Sequence, residues 1–330
     1  MRRITNPLVL LLLGLLALGF VAGPIGAGFL GLDKPTGFIG PPRLHIQVPS
    51  ESIFHFWKAS FEVFSFSLSN TMLTAIASTL LLLFISWRAT RRMSLVPRGL
   101  QNLMEAGLEL ILGLVETVAG KEKAKVFLPL VATIFFFILI SNWTGLIPGF
   151  GTIGVVEKGH EEAFKVLNIG GLKVFYLPFG QEVAEGLVPF FRSANSDVNI
   201  PLSMALVSML IVQYWGIRAS GLGNYIQRFV MVKQLFKGRI FYGGIDLAVG
   251  ALEAISQAAQ IISLTFRLFG NIFAGEILLI MIAFLFPLAW ILPFFGLELI
   301  IGLVQSLIFA MLILIWATLA VTGHEASHEK

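Results

Sequence analysis

The chain has 330 residues, of which 56% are hydrophobic and only 13% charged, with a mean hydropathy of +0.86; a soluble domain is about a quarter charged, so these proportions describe a polytopic membrane protein. Its 30 Phe and 33 Gly suit helices that pack closely in lipid, where small residues let backbones approach. There is no Cys, which excludes disulfides, thiolate metal sites and thiol nucleophiles, and the net charge of +4 resides in basic loops that follow a membrane topology, leaving no support for a nucleic-acid partner.

Six apolar runs, at residues 7–31, about 70–87, 126–148, 200–217, about 248–287 and 293–320, are each long enough to cross a core of roughly 30 Å at about 1.5 Å per residue. The first follows Arg2 and Arg3 and reads either as a retained helix or as a cleaved export signal. Continuation of its apolar run through Phe29 and Leu30 favours the helix. Residues 32–67 carry few basic groups and are expected outside. Residues 88–125 hold Arg88, Arg91, Arg92, Arg98, Lys121, Lys123 and Lys125, and residues 218–239 hold Arg218, Arg228, Lys233, Lys237 and Arg239, so both segments are expected to face the cytoplasm. Within the first of them, "LMEAGLELILGLVETVAG" places Glu105, Glu109 and Glu116 on one helical face with leucines opposite, the pattern of a helix lying along the membrane surface. Residues 149–198 then form a long external loop, and the tail "TGHEASHEK" falls inside.

The expected fold is therefore all-α: about five core membrane helices plus an N-terminal hydrophobic segment, ending in a long, tilted C-terminal hairpin. The expected organisation is a helix or signal at 1–31, an external segment at 32–67, and a membrane-embedded domain at 68–330 that includes the loop 149–198 and the hairpin 245–320.

In the run from about 248, Glu253, Ser256, Gln260, Ser263, Arg267 and Asn271 all project within about 40° of Arg267, a polar stripe about 27 Å long. Glu276, nine residues beyond Arg267, points about 180° away. A helix over the whole run would be roughly 60 Å long, so it must tilt, kink or extend beyond the bilayer. In the last run Glu298 and Gln305 share a face, with Gly302 between them permitting close approach. About a turn near residue 288, Glu276 and Glu298 fall at similar depth, and Arg267 with Gln305 forms a deeper level. Two plain accounts of Arg267 compete with a functional one. Snorkelling is opposed by its place some twenty residues from either end of the run, since a mid-helix charge costs ~2.5 to 3.5 kcal/mol on insertion scales. A permanent salt bridge to Glu298 is the stronger of the two, although two carboxylates outnumber this single arginine and Glu276 points away from it.

"SLTFRLFGNIFAGE" together with "ELIIGLVQ" resembles the two C-terminal helices of subunit a of the F-type ATP synthase, bacterial type, the membrane stator that faces a rotating ring of c subunits. Weaker similarity runs through "VPRGLQNLMEAGLELI", "NWTGLIPGF" and "SDVNIPLSMAL", while residues 1 to about 40 and the loop around 150–190 have no clear counterpart. The resemblance implies that Arg267 is the essential stator arginine facing each ring carboxylate, with Gln305 beside it and Asn271 one turn along. It implies that Glu276 and Glu298 belong to a half-channel open to the outside, and Glu253 and Ser263 to one open to the cytoplasm. Asp197 and Asn199 match a short motif with a lesser external-channel role, and capping of the following helix before Pro201 is an equal reading of Asp197. Some relatives place a histidine in the external half-channel; here His45, His55, His160, His324 and His328 all fall outside the spans.

The resemblance further implies a proton-translocating, non-catalytic subunit of the cell inner (plasma) membrane, with a cytoplasmic C-terminus, no cofactor and no metal. Its partners would be the c ring, the b subunits of the peripheral stalk, the remaining synthase subunits, the lipid bilayer and protons. No P-loop motif is present, so ATP chemistry would belong to partner subunits. The alternatives are an ion-coupled secondary transporter, which usually shows paired halves that are not visible here, a sodium-translocating version of the same stator, and a purely structural anchor, which needs no polar stripe.

Overall fold

Long runs of Leu, Ile, Phe and Ala can satisfy their backbone polar groups in lipid only as helices, and the computed structural model forms helices over five of the six apolar runs. It describes residues 11, 14–18, 52–58, 65–147, 153–156, 165–169, 172–176, 187–223, 225, 240–285 and 290–322. The helices are α1 (Asn70–Thr90), α2 (Leu100–Gly145), α3 (Asn199–Ser220), α4 (Ile240–Leu285) and α5 (Ile291–Thr322). Among the described residues these five are long and apolar enough to cross a membrane. Of the first apolar run, residues 11 and 14–18 are helical, and the Leu16 carbonyl accepts a hydrogen bond from Trp290 Nε1 at 2.8 Å; the rest of 1–31 lies outside the described residues.

Helix α2 joins the expected surface helix to the following span. The two parts are separated at Gly120, whose φ of 80° and ψ of 159° are not helical. Only glycine adopts that backbone without strain, so this residue lets the chain change direction between an amphipathic segment and an apolar one. Helix α4 runs for 46 residues, about 69 Å at the helical rise, so its length is taken up by tilt or by extension beyond the bilayer.

The segments expected outside, read from sequence as loops, contain short strands. Strands β1 (Ser52–Lys58) and β2 (Ser65–Ser69) pair antiparallel, and β3 (Ile153–Val156), β4 (Lys165–Ile169), β5 (Leu172–Tyr176) and β6 (Leu187–Pro189) form an antiparallel sheet in the order β4-β5-β3-β6. The pairing of Ile169 with Leu172 leaves Gly170 and Gly171 between the strands, a Gly-Gly hairpin signal that helical periodicity does not detect. The membrane-spanning architecture is helical as expected; the sheets are confined to the loops.

The chain divides into two compact units. The first comprises residues 1–78, 140–197 and 270–303 and the second residues 79–139, 198–269 and 304–330. Their interiors differ in kind. In the first, Asn70, Thr71, Thr74, Ser78, Ser141, Asn142, Ser193, Asn195, Ser196, Asp197 and Glu298 are buried, beside the apolar Ala75, Ala194 and Ile272. In the second, Ile111, Val115, Phe127, Val131, Ile138, Leu264, Leu268, Phe309, Ile313 and Leu314 make an apolar core, with Phe127 against Trp215 at 4.8 Å between ring centroids. Burying polar groups costs free energy unless they are hydrogen-bonded or hydrated, so the polar groups buried among the described residues of the first unit call for hydrogen-bond partners or water.

Candidate functional site

In the first unit Glu276 near the end of α4 and Glu298 near the start of α5 line one cavity of about 240 Å³, together with Asn142, Arg192 and Ser193. The pairing expected from helical geometry is therefore present. The arginine that accompanies it was not anticipated: Arg192 Nε donates to Glu276 Oε1 at 3.0 Å and to Oε2 at 3.3 Å. The side chains of this ion pair are 10% and 29% exposed. Arg192 is held from two further directions. Its backbone N–H donates to Thr74 Oγ1 at 3.2 Å, and its guanidinium lies 5.9 Å from the Phe273 ring centroid. Sequence reasoning named Arg267 and missed Arg192, which reaches Glu276 from the segment before α3. Its only sequence signal is an isolated charge among aromatic and small residues in "PFFRSANS".

Glu298 is 3% exposed, and its Oε2 has no hydrogen-bond partner. Gly275 sits directly against its carboxylate, where a β-carbon would overlap the carboxylate atoms. Around the cavity, Asn195 Nδ2 donates to Asn142 Oδ1 at 2.7 Å, Asn142 Nδ2 donates to the Gly302 carbonyl at 3.2 Å, and Trp143 Nε1 donates to the Leu299 carbonyl at 3.2 Å. Asp197 is buried and accepts a hydrogen bond from Thr71 Oγ1 at 3.2 Å. The N-cap position of α3 is Val198, which makes no side-chain cap bond. Asn199 opens α3 in the second unit and is exposed, so it does not line this cavity. Among the described residues the buried polar atoms without a protein partner are Asn70 Nδ2, Ser141 Oγ, Ser193 Oγ, Asn195 Oδ1 and Glu298 Oε2, and these belong to the first unit.

In the second unit Glu253, Gln257 and Gln260 of α4 line a smaller cavity of about 50 Å³ with Gln213 of α3 and Trp316 of α5. Gln213 Nε2 donates to Gln257 Oε1 at 2.6 Å, and Gln257 Nε2 donates to Glu253 Oε1 at 3.2 Å. Packing divides the polar stripe that periodicity drew on α4. Glu253 and Gln260, on the flank turned toward α3, are half-buried, whereas Ser256, Ser263 and Arg267 are exposed. Ser263 is thus not brought together with Glu253. Gln257 lies about 80° from the Arg267 direction, just outside the stripe, and was missed for that reason. Asn271 is exposed farther along α4, and Gln305 of α5 is half-buried in the second unit with Arg267. Arg267 is exposed, and so are the large apolar side chains Leu252, Ile262 and Phe266 of the same helix. His55 lies in β1, and the other four histidines fall outside the described residues.

The family model described as "ATP synthase A chain" matches residues 71–318, most of the chain and all five long helices. The chain belongs to the ATP synthase A chain family. Among similar family members, "ATP synthase subunit a" of Campylobacter concisus is 31% identical over 250 residues, covering 76% of this chain and 88% of that protein. "ATP synthase subunit a" of a Nitratiruptor species is 29% identical over 277 residues, 84% and 99% of the two chains. That of Gloeobacter violaceus is 28% identical over 259 residues, 78% and 86%. As a member of the ATP synthase A chain family with five membrane-length helices, this is a multi-pass membrane protein. The family match ends at residue 318 and so contains Glu253, Arg267, Glu276, Glu298 and Gln305, together with Arg192, Gln213 and Gln257.

Proposed function

We propose that the protein is the ion-translocating stator subunit of an F-type ATP synthase, working with the other subunits of that complex and providing two half-channels to the carboxylates of a c ring. The observation that carries this reading is Arg267, a charged side chain exposed among apolar residues near the middle of a membrane-spanning helix. Such a charge is costly in lipid, and a partner that presents a carboxylate would offset the cost. The reading places the protein in the cell inner membrane with its C-terminus cytoplasmic, following the Lys and Arg distribution, and the b subunits of the peripheral stalk among its partners.

A ring carboxylate crosses lipid at acceptable cost only as the neutral acid. It therefore takes a proton before leaving the stator and gives one up when it returns. The cavity holding Glu276 and Glu298 suits the external supply, and the unpaired polar atoms around it are the groups a file of water would satisfy. The cavity of Glu253, Gln257 and Gln260 suits release to the cytoplasm. Arg267 keeps its charge under all conditions, favours the ionised ring carboxylate opposite it and repels a proton that would pass straight between the two paths. Gln305 and Asn271 would orient that encounter, and Asp197 with Thr71 would line the external approach. Each proton moved inward releases about 2.3 kcal/mol per 100 mV, before any pH difference.

The test uses membrane vesicles containing the assembled synthase. Arg267→Ala is expected to abolish ATP synthesis driven by a proton gradient while leaving the complex assembled. Undiminished coupled synthesis in that variant would refute the proposal.

A further inference from the structure

The two carboxylates of the first unit share a cavity but not an environment. Glu276 is clamped by Arg192 through both carboxylate oxygens; that side chain is itself nine-tenths buried, its backbone N–H is anchored on Thr74 Oγ1 and its guanidinium lies against the Phe273 ring. Glu298 is more deeply buried, one of its oxygens has no partner, and among the described residues the one cation lining its cavity is already engaged by Glu276. Among the described residues no second cation faces Glu298, which leaves a proton to neutralise it.

Resting on the stator reading above, we propose that Arg192 is a positioning residue that holds Glu276 as a fixed anion, so that Glu298 alone carries the mobile proton of this half-channel. In this division Glu298 gives its proton to the ring carboxylate and regains one from water entering the cavity, with no net change in the protein. Glu276 and Arg192 stay charged throughout and supply a neutral, ordered dipole beside the transfer. Gly275 leaves the space in which the Glu298 carboxylate sits.

Removal of one partner should differ from removal of both. A lone charge left behind in a buried pair is strongly unfavourable, whereas replacing both partners by neutral groups of similar shape is often tolerated. ATP-driven proton pumping, measured per assembled synthase in inverted vesicles, is expected to fall by about tenfold or more in Arg192→Gln and in Glu276→Gln and to return to within about threefold of the native rate in the double variant. Glu298→Gln is expected to stop pumping and not to be rescued by Arg192→Gln. A double variant as inactive as Glu276→Gln would overturn the proposal, because Glu276 would then be needed for its own proton.

A second measurement does not depend on how well the variants assemble. A hydrophobic carbodiimide reacts with a carboxyl group that carries its proton, so digestion and mass measurement of the treated native complex should find the adduct on the peptide with Glu298 and none on Glu276. Labelling of Glu276 in the native complex would equally overturn the assignment. Retained coupled synthesis in Arg267→Ala would instead remove the stator reading, leaving the labelling pattern as a separate fact about the ion pair.

Discussion

Replacing Gly275 by alanine adds a single methyl group on α4, and that methyl would be built into the space of the Glu298 carboxylate. The obstructing atoms are the far end of a flexible side chain, so the fold can accommodate the change by rotating Glu298. An off-rotamer side chain costs about 0.5–1.5 kcal/mol, and alanine in place of a helical glycine returns about 0.5–1 kcal/mol, so the net effect on stability should be near zero. The functional effect should be larger. The carboxylate must move by roughly an ångström or more to clear the new methyl, and a misplacement of that size in a positioned reaction costs on the order of 100-fold. We therefore expect Gly275→Ala synthase to assemble in native amounts and to lose about 10- to 100-fold in ATP-driven proton pumping, read by a fluorescent pH probe in inverted vesicles. Gly113→Ala is the control, since a β-carbon there meets nothing within 4 Å. Native pumping by assembled Gly275→Ala would show that the position of the Glu298 carboxylate does not matter and would refute the reasoning.

Two further changes test other parts of the structure. Gly120→Ala forces a side chain onto a backbone with φ of 80°, which should cost about 1–3 kcal/mol; a lower thermal inactivation temperature of the complex is expected, and stability equal to that of Gly113→Ala would refute the break in α2. Gln257→Leu removes the amide that joins Gln213 to Glu253, leaving a donor and an acceptor without that partner at about 1–3 kcal/mol. Its proton flux should fall well below that of Ser263→Ala, whose hydroxyl is exposed and outside the cavity, and equal losses would argue against a cytoplasmic path through the glutamines.

Much of the architecture was legible from the chain alone, because a bilayer leaves few choices. A run of about 20 apolar residues in lipid must be a helix, so spans could be placed by length, and the 3.6-residue period gave the direction of each side chain about its own axis. That was enough to bring Glu276 and Glu298 together across a hairpin and to separate both from the stripe ending at Arg267 and Asn271. The short strands were not legible by the same route, since they lie in segments where neither lipid nor a helical period constrains the pattern.

What stands opposite a side chain is a different kind of information. Arg192 and Glu276 are 84 residues apart, Gln213 and Gln257 are 44 apart, and Asn195 and Asn142 are 53 apart. No local periodicity relates such positions. Only the folding of the 192–197 segment against the start of α1 and the ends of α2 and α4 gave Glu276 a cation and, among the described residues, none to Glu298. Two glutamates that look alike in the sequence, each near a helix end at a similar distance from a turn, are made unequal by their neighbours. The sequence by itself determined where the membrane helices run and which faces carry polar groups. The tertiary structure decided which charge meets its counter-charge, because electrostatic pairing depends on distance in space, which neither composition nor helical phase contains.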